Sequence, residues 1–106
     1  QLKALGVTTA SRYALAPEYP AIAETVPGYD VFSFFGAAIR AGTPPEIAKK
    51  IETDCIAAAK DPVVRDKLAA VTSETVGSTS AEFMSFIKSE REKWGKLITE
   101  MKLKIE

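Results

Sequence analysis

Thr8-Thr9-Ala10-Ser11-Arg12 gathers three hydroxyls and a guanidinium directly after a short apolar run. Hydroxyls and a forked cation at the end of a strand could complement a carboxylate through charge-assisted hydrogen bonds, although a polar loop in water would use the same residues. Thr9, Ser11 and Arg12 are therefore the candidate polar contacts. A second group, Phe34, Phe35 and Gly36, could line a cleft, while aromatic residues on a strand more often belong to a core. The carboxylates Glu18, Glu24 and Asp30 lie near proline turns. There they cap or solvate rather than act as an acid–base pair, because nothing nearby sets their pKa values apart.

Two scarcities remove much of the enzyme space. The chain has no histidine and one cysteine, so Ser-His-Asp and Cys-His nucleophile systems cannot be assembled, nor can clustered imidazole or thiolate metal sites. No catalytic residue, no metal ligand and no cofactor is expected. Cys55 continues the helical spacing of Ile47, Ile51 and Ala58, which reads as a small buried apolar residue rather than a reactive thiol.

At 106 residues the chain fits one small domain that buries roughly 65% of its unfolded surface. No segment approaches the ~20 apolar residues of a membrane helix. Fourteen basic residues cancel fourteen acidic ones, and no basic run interleaves with aromatics, so nucleic acid is not an expected partner.

The elements that must position the candidates alternate between strand and helix. Leu2 to Thr8 reads as a short strand, Thr9 to Pro20 as a loop broken by prolines, and Ala21 to Thr25 as one helical turn. Pro27-Gly28 is a turn signal, and Tyr29 to Ile39 carries the aromatic and β-branched residues of a half-buried strand. Thr43, Pro44 and Glu46 have the spacing of a capping box opening a helix that runs to about Lys60. Asp61-Pro62 starts a second helix over Val63 to Val71, and Thr72 to Val76 reads as a third short strand. Thr79-Ser80-Ala81-Glu82 is another capping box. It opens a long helix of about 25 residues with the apolar stripe Phe83, Phe86, Ile87, Trp94, Leu97, Ile98, Met101 and Ile105, interrupted by Gly95, where a bend or a close backbone contact would fit. Neither helix start suits a bound anion. Pro44 and Pro45 remove amide donors and Glu46 adds negative charge, and Glu82 already serves its own cap.

The inventory is α/β, with about three short strands and three to four helices including the long C-terminal one, but so narrow a sheet cannot cover the apolar faces of its helices. Six short motifs occur in one order: Thr8-Thr9-Ala10-Ser11-Arg12, Pro17-Glu18-Tyr19-Pro20-Ala21-Ile22-Ala23-Glu24, Pro27-Gly28-Tyr29-Asp30, Phe34-Phe35-Gly36, Ala41-Gly42-Thr43-Pro44 and Asp61-Pro62-Val63-Val64-Arg65-Asp66-Lys67-Leu68. In that order they resemble the C-terminal third of the extracytoplasmic solute receptors of tripartite tricarboxylate transporters, the TctC or Bug family.

The resemblance implies the C-terminal part of a two-lobed, type II-like periplasmic binding protein that closes around a small carboxylate and delivers it to membrane transporter subunits. It also implies a division in which residues 1–26 end the second lobe and its crossover, while residues 27–106 belong to the first. Phe34 stands where the family commonly has Trp, Pro20-Ala21 where Pro-Thr is usual, and Arg40 where Pro often precedes Ala-Gly-Thr-Pro. The family's glycine-rich carboxylate loops lie outside this sequence, so the chain alone is expected to bind ligand poorly. The competing reading is a stand-alone α/β module whose strand edges and uncovered apolar faces bind a partner protein or another copy of the chain, with no small-molecule ligand. Self-association is the behaviour expected of a severed lobe, and the periplasmic location rests on the resemblance alone.

Overall fold

Short-range hydrogen bonding accounts for the regular structure in the computed structural model, which describes residues 2–103. A 3₁₀ turn over Ile22–Glu24 is followed by α1 (Pro45–Lys60), α2 (Pro62–Ala69) and α3 (Ser80–Glu100). The Asp61 carboxylate ends the α1–α2 link by accepting the amides of Val63 and Val64. Thr79 and Glu82 exchange the reciprocal bonds of the expected capping box: the Thr79 amide and hydroxyl donate to Glu82 Oε2, and the Glu82 amide donates to Thr79 Oγ1.

The first cap differs from its expectation. α1 begins at Pro45, one residue later than a Thr43 cap requires, and Pro44 sits at ψ 137°. Pro45 is the cause, because a residue preceding proline is sterically pushed out of the helical region. The Thr43 hydroxyl instead donates to the Arg40 carbonyl at 2.7 Å and tightens the turn before the helix.

α3 is 21 residues long rather than about 25, and Ile105 lies outside the described residues. Its helix passes through Gly95 without a break, and a Cβ there would meet nothing within 4 Å, so the close contact anticipated at that glycine is not made. Cys55 also departs from expectation, being exposed. The less exposed face of α1 runs through Ala48, Glu52, Ile56 and Ala59, one position round from the Ile47–Ile51–Cys55 stripe, because residues 77–80 pack on that side. A Cβ on Gly77 would lie 3.1 Å from Ala59 Cβ, and the Ser80 amide donates to Glu52 at 2.7 Å.

The three expected strands do not form ladders. Among the described residues the only pairing is one parallel bridge, Val7 with Ala21, made by Val7 N–H to Pro20 O at 2.9 Å and Ile22 N–H to Val7 O at 3.0 Å. Gly6 is needed beside it, since a Cβ there would stand 2.9 Å from the Pro20 carbonyl oxygen. The segments 2–6, 32–39 and 74–78 neither donate nor accept backbone hydrogen bonds among the described residues, and Thr72 and Ser73, where the third strand was expected to begin, instead donate to the Ala69 and Leu68 carbonyls in the turn that ends α2. A strand exists only when a neighbour takes its amides, so residue preference alone leaves these three stretches without a sheet. The architecture is helix-rich.

Residues 32–39 nevertheless lie on α3 with strand-like alternation. Phe32 stacks on Phe86 with centroids 6.0 Å apart, and Phe34 meets Phe86 edge to face at 4.8 Å and Phe83 at 6.1 Å. Gly36 continues that face against the Phe83 ring. Phe35 points the other way and is 94% exposed.

Packing elsewhere is open. The accessible surface is 9133 Å², against roughly 5,800 Å² for a folded monomer of this mass. The radius of gyration is 17.2 Å, where a compact domain of this length has about 13 Å. Only Ala21, at 2% exposure, is buried among the described residues. The chain thus carries far more apolar surface than its own layers cover.

Candidate functional site

The loop of candidate residues is held by three tethers. Within it, the Thr9 hydroxyl donates to the Ser11 carbonyl at 2.7 Å. At its end, Arg12 donates from Nε and Nη2 to the two carboxylate oxygens of Glu24 at 2.9 and 3.2 Å. Across from it, the Ala10 amide donates to Asp30 Oδ1 at 3.1 Å, while the Val31 amide donates to the Thr8 carbonyl at 2.9 Å.

Glu24 serves two donors, because its Oε1 also accepts the Ala21 amide at 3.0 Å. Arg12 and that amide together hold the Glu24 carboxyl below the ordinary glutamate range, and Glu24 in turn raises the Arg12 guanidinium. Arg12 keeps part of its donor capacity. A guanidinium carries five N–H groups and the Glu24 fork uses two, so with half of the side chain exposed its outer edge is open to a second carboxylate.

Phe34, Phe35 and Gly36 do not share one role. Phe34 and Gly36 belong to the packing against α3, although Phe34 keeps part of its ring exposed, whereas Phe35 is almost wholly open to solvent. The loop and the aromatic segment are neighbours through the Thr8–Val31 and Ala10–Asp30 bonds, which place the start of the segment against residues 8–10.

A hollow of 220 Å³ lies behind this crossing, lined by Gly28 to Val31 and by Lys93, Trp94 and Leu97 of α3. Lys93 Nζ donates to the Asp30 carbonyl at 3.1 Å and pairs with Glu90 at 2.6 Å. Trp94 Nε1 donates to Glu90 at 2.9 Å, and the Lys93 ammonium stands 5.4 Å from the indole centroid. The Glu90 carboxyl is lowered, chiefly by Lys93.

The starts of α2 and α3 are already served by the chain's own side chains, while α1 has no side-chain cap. Glu52 and Glu82 both bring carboxylate to the first turn of α3, and both are lowered, Glu52 chiefly by Lys49 and the Ser80 amide, Glu82 by the Thr79 amide and hydroxyl. Among the described residues no group of three histidine, cysteine, aspartate or glutamate side chains is placed to hold a metal ion. Nor is any helix among them long and apolar enough to cross a membrane.

Three partners of the candidate residues escaped the sequence reading: Glu24 for Arg12, Asp30 for Ala10 and Lys93 for Asp30. They lie 12, 20 and 63 residues away from the groups they hold, and no local pattern announces such pairs.

A family model described as tripartite tricarboxylate transporter family receptor matches residues 1–103. The chain is 33% identical over 105 residues to the UPF0065 protein in the tcbD-tcbE intergenic region of Pseudomonas sp. (strain P51), covering 97% of the chain and 31% of that relative. It is 30% identical over 105 residues to the UPF0065 protein in the clcB-clcD intergenic region of Pseudomonas knackmussii, covering 97% of the chain and 62% of the relative. A UPF0065 protein of Bordetella bronchiseptica is 26% identical over 104 residues, covering 98% and 31% respectively. The chain therefore spans about a third of the length of two of these relatives and under two thirds of the other. No solved structure matches it.

Proposed function

The chain belongs to the tripartite tricarboxylate transporter receptor family, the family its six motifs resemble, and from that premise we propose that it serves in a periplasmic solute-binding protein that captures a small carboxylate and hands it to membrane transporter subunits. The observation that carries this reading is the family match over residues 1–103. In a receptor of the relatives' greater length, residues 1–26 close the second lobe and residues 27–106 supply the C-terminal part of the first. The segments 2–6, 32–39 and 74–78 are then strands of an α/β sheet completed by the remaining chain, and ligand shifts the balance of open and closed lobes. Support for this part comes from their unpaired backbones and from the uncovered apolar surface, both of which further chain would satisfy.

In this role the protein is a binder and not an enzyme. Arg12, with its free outer edge, and the hydroxyls of Thr9 and Ser11 contribute to the carboxylate site, and Phe35 contributes an apolar wall. Phe34 and Gly36 act behind it through packing. Calorimetric titration of the full-length receptor with a panel of dicarboxylates and amino acids tests the reading. Saturable heat with at least one small acid is expected, and no heat with any of them refutes it.

The exposed Phe35 and the bare edges of residues 32–39 favour a second reading, a stand-alone interaction module. Sedimentation of the 106-residue chain separates the two. A stable monomer without carboxylate affinity supports the module, whereas self-association is the behaviour of a lobe deprived of its cover.

A further inference from the structure

We propose that Asp30 is a positioning residue, which fixes the Thr9–Arg12 loop relative to α3 by holding the Ala10 amide with its side chain while its own backbone is held by Lys93. The contacts run in series. Lys93 Nζ donates to the Asp30 carbonyl at 3.1 Å, Asp30 Oδ1 accepts the Ala10 amide at 3.1 Å, and the next residue, Val31, donates its amide to Thr8 O at 2.9 Å.

Residues 8–10 are thus joined to residues 30–31 at two points, one supplied by a main-chain amide and one by a carboxylate. The carboxylate point is a charge-assisted bond, longer at 3.1 Å than the main-chain bond at 2.9 Å. Of the three tethers on the loop, Thr9 to Ser11 lies inside it and Arg12 to Glu24 stays within residues 1–26. Asp30 alone reaches the loop as a side chain from beyond the Pro27-Gly28 turn. The stretch following that turn is anchored in turn by α3 through Lys93, which is itself steadied by Glu90 and the Trp94 ring. Removing the Asp30 side chain cuts this series at its middle and leaves two ties flanking the loop, Thr8–Val31 before it and the Tyr13 hydroxyl to the Thr72 carbonyl at 3.1 Å after it, between which residues 9–12 can turn. Thr9, Ser11 and Arg12 would then lose their fixed relation to the aromatic segment that starts at Phe32.

The role assigned to the loop rests on the carboxylate-binding reading, but the clamp is tested without any ligand. Amide hydrogen exchange is measured residue by residue by NMR on the purified protein and on its Asp30→Ala and Asp30→Asn variants, with the α1 amides as the control for folding. In Asp30→Ala the Ala10 amide is expected to exchange about tenfold faster, the effect of losing one bond to a charged acceptor, with the α1 amides unchanged. Asp30→Asn keeps an acceptor oxygen of the same reach and restores protection to within about threefold, as a neutral bond should. Ala10 exchange that is the same in Asp30→Ala as in the unaltered protein overturns the proposal. So does an Asp30→Asn variant as fast as Asp30→Ala, because then the acceptor is not what holds the loop. An Asp30→Ala chain whose α1 amides also lose protection leaves Asp30→Asn to decide by the same criterion. Failure of every carboxylate in the calorimetric titration would refute the receptor reading and leave these exchange results standing.

Discussion

Replacing Gly36 by alanine sets a methyl carbon where the Phe83 ring now lies. A Cβ in that position would be 2.6 Å from Phe83 Cε1 and nearer still to Cζ, against the ~3.5–4.0 Å at which carbon atoms pack. The ring must move by about 1 Å or more to restore that spacing, and it is not free to do so. Phe83 stacks at 6.4 Å on Phe86, and Phe34 packs edge-on against both rings, at 6.1 and 4.8 Å. Overpacking of this kind costs about 1–3 kcal/mol. For a domain of this size each kcal/mol lowers Tm by roughly 4–8 °C. The assay is thermal and urea unfolding followed by far-UV circular dichroism for the unaltered chain, Gly36→Ala, Phe83→Leu and the double variant. The shorter leucine vacates the volume that the new methyl needs, so the double variant is expected to be more stable than the sum of the single effects by about 1 kcal/mol or more. Additivity within about 0.5 kcal/mol, or a neutral Gly36→Ala, would refute the contact between the 32–39 segment and α3.

Asp61→Ala removes the acceptor of the Val63 and Val64 amides and is expected to lower stability by about 1 kcal/mol in urea unfolding, with Asp61→Ser recovering most of it. Gly77 sits at φ +63° with Ala59 Cβ only 3.1 Å from where its own would be, so Gly77→Ala should cost about 1–2 kcal/mol in the same measurement, more than a Gly28→Ala change at φ +83° with open space around it. Stability should also fall on acidification. Glu24, Glu52, Glu82 and Glu90 all have folded-state values below the ordinary glutamate value, so their contribution is fully present above that value and is lost as pH drops through the lowered ones. Tm recorded from about pH 6 to about pH 3 should therefore decline, and Glu52→Gln should flatten the decline by removing the pairing of Lys49 and Ser80 with a charged acceptor.

What the sequence determined by itself lies within a few residues along the chain. Asp61 caps α2, Thr79 and Glu82 close the start of α3, and Ile22 to Glu24 makes the single turn expected of it, because each bond joins groups two to four positions apart. The order of six motifs was equally legible and pointed to the family, since a motif is read without folding it. Even locally a competing rule can win, as at Thr43, where the ring of Pro45 displaced the cap. Tertiary structure decided the rest. It turned the inner face of α1 away from Cys55, gave Arg12 its Glu24, Ala10 its Asp30 and Ser80 its Glu52, and left residues 32–39 on α3 without a ladder. Those outcomes depend on partners far along the chain or, for a strand, on a neighbouring backbone. A residue's own preference states what it would do beside a partner, and only the folded chain supplies the partner or leaves the place open.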